Sequence, residues 1–301
     1  MFMMDIRYHI ATLIAVFLAL GVGILVGSTV VGSDVLNDQQ KKMIDQLEKQ
    51  FEVLRQKEED LTTRVEFMNG LLRHYEDFTE ALLPSIVENR LAGMKVALVV
   101  SGGLDIPSGA LNSLSLAGAR IVSTTVILPG INLSSDSLRS KLAAAYGVED
   151  KTSPEELRIQ VGKTIGDIIL NHDVQEIKRL LEQNDLVKFN GDYSIFPDAV
   201  VVMGGANSLD YYFPETIDVP MINQMSAAGV RVIGVEVSDV KYSYMQVYQA
   251  QKITTVDDID LIPGQVSLVL AMAGESGDYG VKPTAKKFMP SLPPGYAGGN
   301  R

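Results

Sequence analysis

The chain has 301 residues, and its 26 basic and 37 acidic side chains give a net charge of −11 at pH 7. This acidity argues against nucleic-acid binding, which needs a basic face. The absence of cysteine excludes disulfides, cysteine metal sites and a cysteine nucleophile, and the three widely separated histidines disfavour a histidine metal cage within one chain.

An uncharged stretch covers residues 10–31, after a short segment, 1–9, whose only basic side chain is Arg7. About 20 apolar helical residues match the ~30 Å hydrocarbon core of a bilayer, so we predict a transmembrane helix. A cleaved secretory signal is the alternative, although its apolar core is usually only about 7–15 residues long. Because no Lys or Arg follows until Lys41, we predict a single-pass protein of the cell membrane with a cytoplasmic N-terminus and an extracytoplasmic remainder.

Small residues recur at every fourth position of this stretch, at Ala11, Ala15, Ala19, Gly23 and Gly27. Small residues on one face let two membrane helices approach closely, which is the usual pattern of transmembrane dimerisation. The alternative is that alanine and glycine are simply common in membrane helices. We take Ala19, Gly23 and Gly27 as candidate dimerisation residues.

Residues 34–84 show a heptad repeat over more than five heptads, with charged side chains on the outside. The d positions are Leu47, Leu54, Leu61, Met68, Tyr75 and Leu82, and the a positions are Ile44, Phe51, Glu58, Val65 and Leu72. The repeat predicts a coiled coil that ends at Pro84, because proline interrupts a regular helix.

Two such chains, anchored in one membrane and leaving it on the same side, must pair in parallel. We therefore predict a parallel homodimer through these a and d residues. Pairing with a second helix of the same chain is the alternative, but no other segment carries a matching heptad. A trimer also remains open.

The pattern changes at residue 94, where short apolar runs begin to alternate with helical stretches. The predicted strands are 94–100, 119–128, 198–206, 230–237 and, more weakly, 252–256. The predicted helices are 107–117, 135–146, 154–169, 173–183, 214–228 and 264–274. Apolar strands alternating with helices predict a doubly wound, three-layer α/β domain of the Rossmann or flavodoxin-like type over 92–275. The Pro- and Gly-rich segment 282–301 is predicted to be a disordered tail.

Two glycine-rich loops follow predicted strands of this domain. In such sheets, ligands bind beyond the carboxyl ends of the strands. The candidate ligand-binding residues are Ser101, Gly102 and Gly103 in the first loop, and Gly204, Gly205 and Asn207 in the second. Neither loop matches a dinucleotide or P-loop motif. The alternative is that both are only tight turns.

Catalytic and metal-binding signals are weak elsewhere. Ser101 has no histidine in the order of a known triad and no G-x-S-x-G motif, so we predict a protein that is not an enzyme and has no cofactor. The cluster Asp257, Asp258 and Asp260 has the chemistry to hold a hard cation, but we expect a solvated loop. Met221 and Met225, four residues apart, are expected to pack on the sheet rather than to bind Cu(I).

Two stretches resemble a known family. Residues 5–10, DIRYHI, run into AVFLALGVGILVGS and resemble the start of the MctB family, which is named for mycobacterial copper transport protein B. Residues 261–280, LIPGQVSLVLAMAGESGDYG, are similar to its C-terminal signature. The order of span, coiled coil and α/β domain also matches, so the resemblance covers nearly the whole chain.

The resemblance implies copper export or homeostasis, and in mycobacteria a channel in the outer envelope. Copper is implied only by the resemblance, and no ligand motif can be transferred to this chain. Related actinobacterial proteins are also implied in cell separation, as membrane partners of a cytoplasmic protein and activators of a wall hydrolase.

The features of the chain therefore favour a dimeric, non-catalytic, membrane-anchored binding module rather than a pore, because one helix cannot line a pore alone. The alternative is a cell-envelope scaffold or receptor that binds partner proteins through its coiled coil or head. An extracytoplasmic enzyme with its site at the glycine loops is the third interpretation.

Overall fold

The computed structural model describes residues 6–30, 33–149, 151–172 and 174–292. The chain divides into two compact units, Met1–Arg73 and His74–Arg301. The end of the predicted span at Val31, the first five residues, and residues 293–301 of the predicted tail lie outside the described residues.

Helix α1 (Ile6–Val30) forms from the uncharged stretch. Residues Ile6–Ser28 have a mean hydropathy of 2.6, and none of this segment is buried within the chain. By length and composition the segment can cross a membrane, as predicted. Gly23 and Gly27 have no atom within 4 Å of where a Cβ would stand, so their face of the helix is open in the single chain.

Helix α2 (Ser33–Val87) is continuous over 55 residues. It passes through Pro84, where the sequence predicted its end. Leu83 and Val87 on either side of the proline are buried in the core, and this packing outweighs the hydrogen bond that proline removes. The heptad residues remain unburied in the single chain. Exposure is between 47% and 69% for Ile44, Leu47, Phe51, Leu54, Leu61, Val65, Met68 and Leu72.

The remaining elements build a seven-stranded sheet covered by helices. The strands are β1 (Lys95–Val100), β2 (Arg120–Ile127), β3 (Val187–Gly191), β4 (Ala199–Met203), β5 (Arg231–Val235), β6 (Thr254–Val256) and β7 (Asp278–Tyr279). The helices are α3 (Ser108–Leu116), α4 (Asp136–Tyr146), α5 (Pro154–Ile169), α6 (Gln175–Gln183), α7 (Val219–Ala227), α8 (Met245–Ala250) and α9 (Ile262–Ala273). We call this part of the molecule the head.

The strand order is β3-β2-β1-β4-β5-β6-β7. All neighbours pair in parallel except β3, which is antiparallel to β2. The prediction of a mixed α/β domain with a mostly parallel sheet is confirmed. The sequence did not predict β3, because only Val187 of its five residues is buried, and it did not predict β7, which has only two residues.

Two apolar layers cover the faces of the sheet, because successive strand side chains point to opposite faces. Val99 and Val202 belong to one layer, together with residues of α5 and α7. Leu98 and Val201 belong to the other, with residues of α3 and α9. This two-sided burial explains why the central strands are apolar throughout.

The segment after β7 differs from the predicted tail. Residues 282–292 are described, and Lys286 and Lys287 donate backbone N–H groups to the carbonyl of Asp278 at 2.9 and 3.1 Å. Met289 and Leu292 pack against the core. The ordered part of the chain therefore extends beyond the predicted domain end at 275.

Candidate functional site

The two predicted glycine loops meet at the carboxyl ends of the central strands. Their strands, β1 and β4, are neighbours, and Ser101 N–H donates to the carbonyl of Met203 at 2.9 Å. A Cβ on Gly102 would overlap the carbonyl oxygen of Gly205. The strand order also reverses between β1 and β4, which is where open α/β sheets bind ligands.

Tyrosine rings fill the space around these glycines. A Cβ on Gly103 would stand 2.9 Å from three ring atoms of Tyr211, and one on Gly204 would meet Tyr244 and Tyr248. Tyr244 and Tyr248 pack edge to face, with ring centroids 5.9 Å apart. The glycines thus allow backbone and rings to approach more closely than any side chain would permit.

A buried carboxylate lies at the centre of this arrangement. Asp218 is completely buried and accepts hydrogen bonds from the Ser101 hydroxyl at 2.5 Å and the Tyr248 hydroxyl at 2.6 Å. Burial raises the pKa of Asp218 to about 7, and the two hydrogen bonds lower it less. Burial also raises the pKa of Tyr248, which therefore remains a donor. The hydrogen-bond partner of the Ser101 hydroxyl is thus a buried carboxyl group with a raised pKa.

Asn207 holds a neighbouring loop. Its side-chain oxygen accepts the backbone N–H of Lys241 at 3.0 Å, and Ala206 forms an antiparallel bridge with Tyr242. The structure therefore brings Ser101, Gly102 and Gly205 together, while Asn207 contacts the loop after β5. Ligand binding by these residues stays a prediction.

A second group of acidic side chains follows β5 and β6. Glu236 is completely buried and accepts from the Ser243 hydroxyl at 2.6 Å, the Tyr244 N–H at 3.0 Å and the Lys282 ammonium at 2.5 Å. Asp257 accepts the backbone N–H of Val281 at 2.8 Å. The segment after β7 therefore covers the carboxyl ends of β5 and β6 and contributes a buried ion pair, Lys282 with Glu236.

Asp258 lies beside this pair without a hydrogen-bond partner for either carboxylate oxygen, within the described residues. It is completely buried, and burial, followed by the charges of Asp257 and Asp260, raises its pKa to about 7. The expectation of a solvated loop was wrong for Asp257 and Asp258, since both are buried: the segment after β7 covers Asp257, and the start of α9 at Gly264 packs against Asp258. The described residues contain no group of three or more His, Cys, Asp or Glu side chains that could hold a metal ion.

The two methionines considered as thioether ligands are core residues. Met221 and Met225 are completely buried in the apolar layer that contains Val99 and Val202. The packing interpretation of this pair is confirmed.

Sequence reasoning missed the partners of Ser101 and of Lys282. Asp218 ends a short π-helical turn, Pro214–Asp218, and Tyr248 lies in α8, so no local motif joins them to Ser101. The available signal was weak, namely isolated acidic residues directly after or between strongly apolar segments.

A family model described as copper transport outer membrane protein, MctB, matches residues 3–290. No curated protein matches the chain.

Proposed function

Because the chain belongs to the MctB family, we propose that it acts in copper transport or homeostasis as a non-catalytic, membrane-anchored binding protein rather than as a pore. One observation supports this form of the function above the others. Within the described residues, only Ile6–Ser28 is long and apolar enough to cross a membrane. A single helix leaves no lumen through which an ion could pass, so copper would be bound or handed over rather than conducted.

The proposed topology places the N-terminus in the cytoplasm, with α2 and the head outside the cell membrane. Arg7 supports this orientation, because basic residues stay on the cytoplasmic side and none follows the span until Lys41.

The proposed assembly is a parallel homodimer. Leu54 and Leu61, at successive d positions of α2, are 60% and 63% exposed in the single chain. Burying such side chains against a second copy contributes about 1.5–3 kcal/mol each, which is enough to hold a long two-stranded coil together. The open face at Gly23 and Gly27 would extend the contact into the membrane.

A second candidate function is that of a cell-envelope scaffold or receptor, acting in cell separation or the regulation of a wall hydrolase. Val53 and Phe67 directly precede the d residues Leu54 and Met68, at the c position, which faces away from the partner helix in a two-stranded coil. Both are apolar, and they are 51% and 69% exposed in the single chain. In the proposed dimer these two side chains would stay exposed and available for contact with another protein.

A clean gene deletion in the native host, scored in parallel for copper tolerance and cell separation, tests both functions. We expect the deletion strain to be copper-sensitive, to divide normally and to be rescued by the gene. Normal copper tolerance with chained or misshapen cells would overturn the copper function and favour the scaffold. Complementation with Phe67→Ala then separates the two further, since only the scaffold function requires an outer apolar residue of α2.

A further inference from the structure

We propose that Phe78 of each chain inserts into a groove on the head of its partner in the dimer. The inference rests on the proposed parallel homodimer. It adds to the coiled coil a specific contact between the last turns of one α2 and the head of the other chain.

The groove has a volume of about 530 Å³ and lies between the end of α2, helix α3 and the start of α9. Its apolar lining comes from Leu83 and Leu116 together with Leu261 and Ile262. Leu261 is 38% exposed in the single chain. The groove is therefore an apolar surface that the single chain leaves partly open.

The heptad register places Phe78 where it would face this groove. With Tyr75 and Leu82 at d, Phe78 is a g residue and Leu83 is an e residue. In a parallel two-stranded coil, a g side chain lies beside the e' side chain five residues further along the partner. Phe78 therefore pairs with Leu83 of the second copy, which forms part of the groove wall.

Phe78 and Leu83 differ in burial in the single chain. Phe78 is 60% exposed and can contact a partner, whereas Leu83 is 5% exposed because its own head covers it. Leu83 therefore has little free surface of its own, and the contact that we propose for Phe78 is with the groove that Leu83 lines. Twofold symmetry repeats the contact, so one dimer would contain two such contacts.

The rim of the groove favours an uncharged or basic occupant. Glu76 and Glu80 line it on the α2 side, and Asp260 lines it on the head side. The benzyl group of Phe78 brings no negative charge to this rim and matches the apolar lining. A basic amphipathic segment of another protein is the competing occupant, and the experiment below separates it from a second copy.

The chain has no native cysteine, so engineered cysteines report without background. Two differently tagged full-length chains are co-expressed in membranes, one carrying Phe78→Cys and the other Leu261→Cys, and treated with a short bis-maleimide. We expect a cross-linked product that carries both tags. Asp77→Cys with Leu261→Cys is the matched control, because residue 77 is an outward f position, and we expect at least about tenfold less product.

Leu54→Cys in both chains tests the dimer itself, since d residues of a parallel pair face each other. A Leu54→Cys cross-link without excess product from the 78 and 261 pair would overturn the inference and leave the dimer intact. Such a result would leave the groove to a different partner. Loss of both products would overturn the dimer as well.

A second measurement compares Phe78→Ala with Phe67→Ala. The two rings are similarly exposed in the single chain, at 60% and 69%, but only Phe78 lies at a position that meets the partner. We expect Phe78→Ala to weaken the dimer about tenfold in detergent micelles, Phe78→Leu to restore most of the affinity, and Phe67→Ala to change it less than about twofold. Equal effects of the two alanine variants would contradict the proposed contact.

Discussion

Apolar side chains of α2 and of the sheet differ in where they find partners. Leu54 and Leu61 are 60% and 63% exposed, whereas Val99 and Val202 are completely buried between sheet and helices. The head thus covers its apolar surface with its own chain, while the apolar side chains of α2 between residues 44 and 72 stay exposed in the single chain and would be covered in the proposed homodimer. Changes in α2 should therefore alter association, which depends on concentration, and changes in the head should alter unfolding, which does not.

The largest expected effect is on association through the apolar d positions of α2. Leu54→Lys combined with Leu61→Lys would place four charges in the predicted seam of a dimer, and we expect association to weaken by more than about 100-fold. Gln56→Lys with Thr63→Lys is the matched control, because both residues occupy the outer f position. Sedimentation in detergent measures the association, and near-UV circular dichroism checks that the head remains folded. A dimer that survives the seam variant would show that these residues are not the interface.

Two lysines of the head test the buried ion pair. Lys282 and Lys286 contact carboxylates at 2.5 and 2.6 Å, but their side chains are 14% and 80% exposed. Lys282→Met leaves Glu236 buried and unpaired, so we expect a loss of about 3–5 kcal/mol in the free energy of unfolding. Lys286→Met should cost less than Lys282→Met, because the Lys286 side chain is exposed and water screens this ion pair, although Asp278 itself is only 9% exposed. Urea unfolding measures both, and equal losses would contradict the role assigned to burial.

Replacing glycine by alanine should lower stability at one position in the head and raise it at one position in α2. Gly102→Ala forces a methyl group into the carbonyl of Gly205, and we expect the head to lose about 1–3 kcal/mol or more. Gly70 in α2 has open space around it, so Gly70→Ala should stabilise that helix by about 0.5–1 kcal/mol. Thermal unfolding without added ligand measures the loss of stability in the first variant and the gain in the second. A tolerated Gly102→Ala would argue against close packing as the reason for this glycine.

The last expected effect concerns pH. Asp218 and Asp258 have pKa values of about 7 in the folded head, above their ordinary values. Between about pH 4 and 7 the folded state therefore holds protons that the unfolded state releases, so stability is fully present at low pH and falls as pH rises through 7. Asp258→Asn should flatten this fall by about 1–2 kcal/mol between pH 5 and pH 8.

Urea unfolding at the two pH values measures this difference. The control is Asp239→Asn, which changes an exposed carboxylate of the same charge. An unchanged pH dependence in the Asp258 variant would show that this group does not titrate as its burial suggests.

The same contrast explains how far the sequence could predict the structure. Helices α1 and α2 follow from local patterns, an uncharged run and a heptad, and both were predicted closely. The central strands were also predictable, because burial on both faces makes them apolar throughout. Edge strand β3 was missed because its buried pattern is confined to Val187.

The site was less predictable because its contacts join distant residues. Ser101 and Asp218 are 117 residues apart, and Lys282 reaches Glu236 over 46 residues. The sequence predicted only that each glycine loop follows a strand of the sheet, at the end where ligands bind. It did not predict that Asp218 and the tyrosines would fill the space between them, since those residues arise from irregular turns and a short helix.

The two outer strands of the sheet matter for the proposed homodimer, in which two heads would lie close together. A long, flat edge strand on one head would offer unpaired backbone groups to the identical strand of its neighbour, and sheets joined in this way aggregate. At one edge, β3 is short, antiparallel and carries the exposed Lys188. At the other, β7 has only two residues, and Tyr279 is already bridged to Lys287. Both edges are therefore poor templates for strand addition, so the two heads of the proposed homodimer could be held close together without joining their sheets into fibrils.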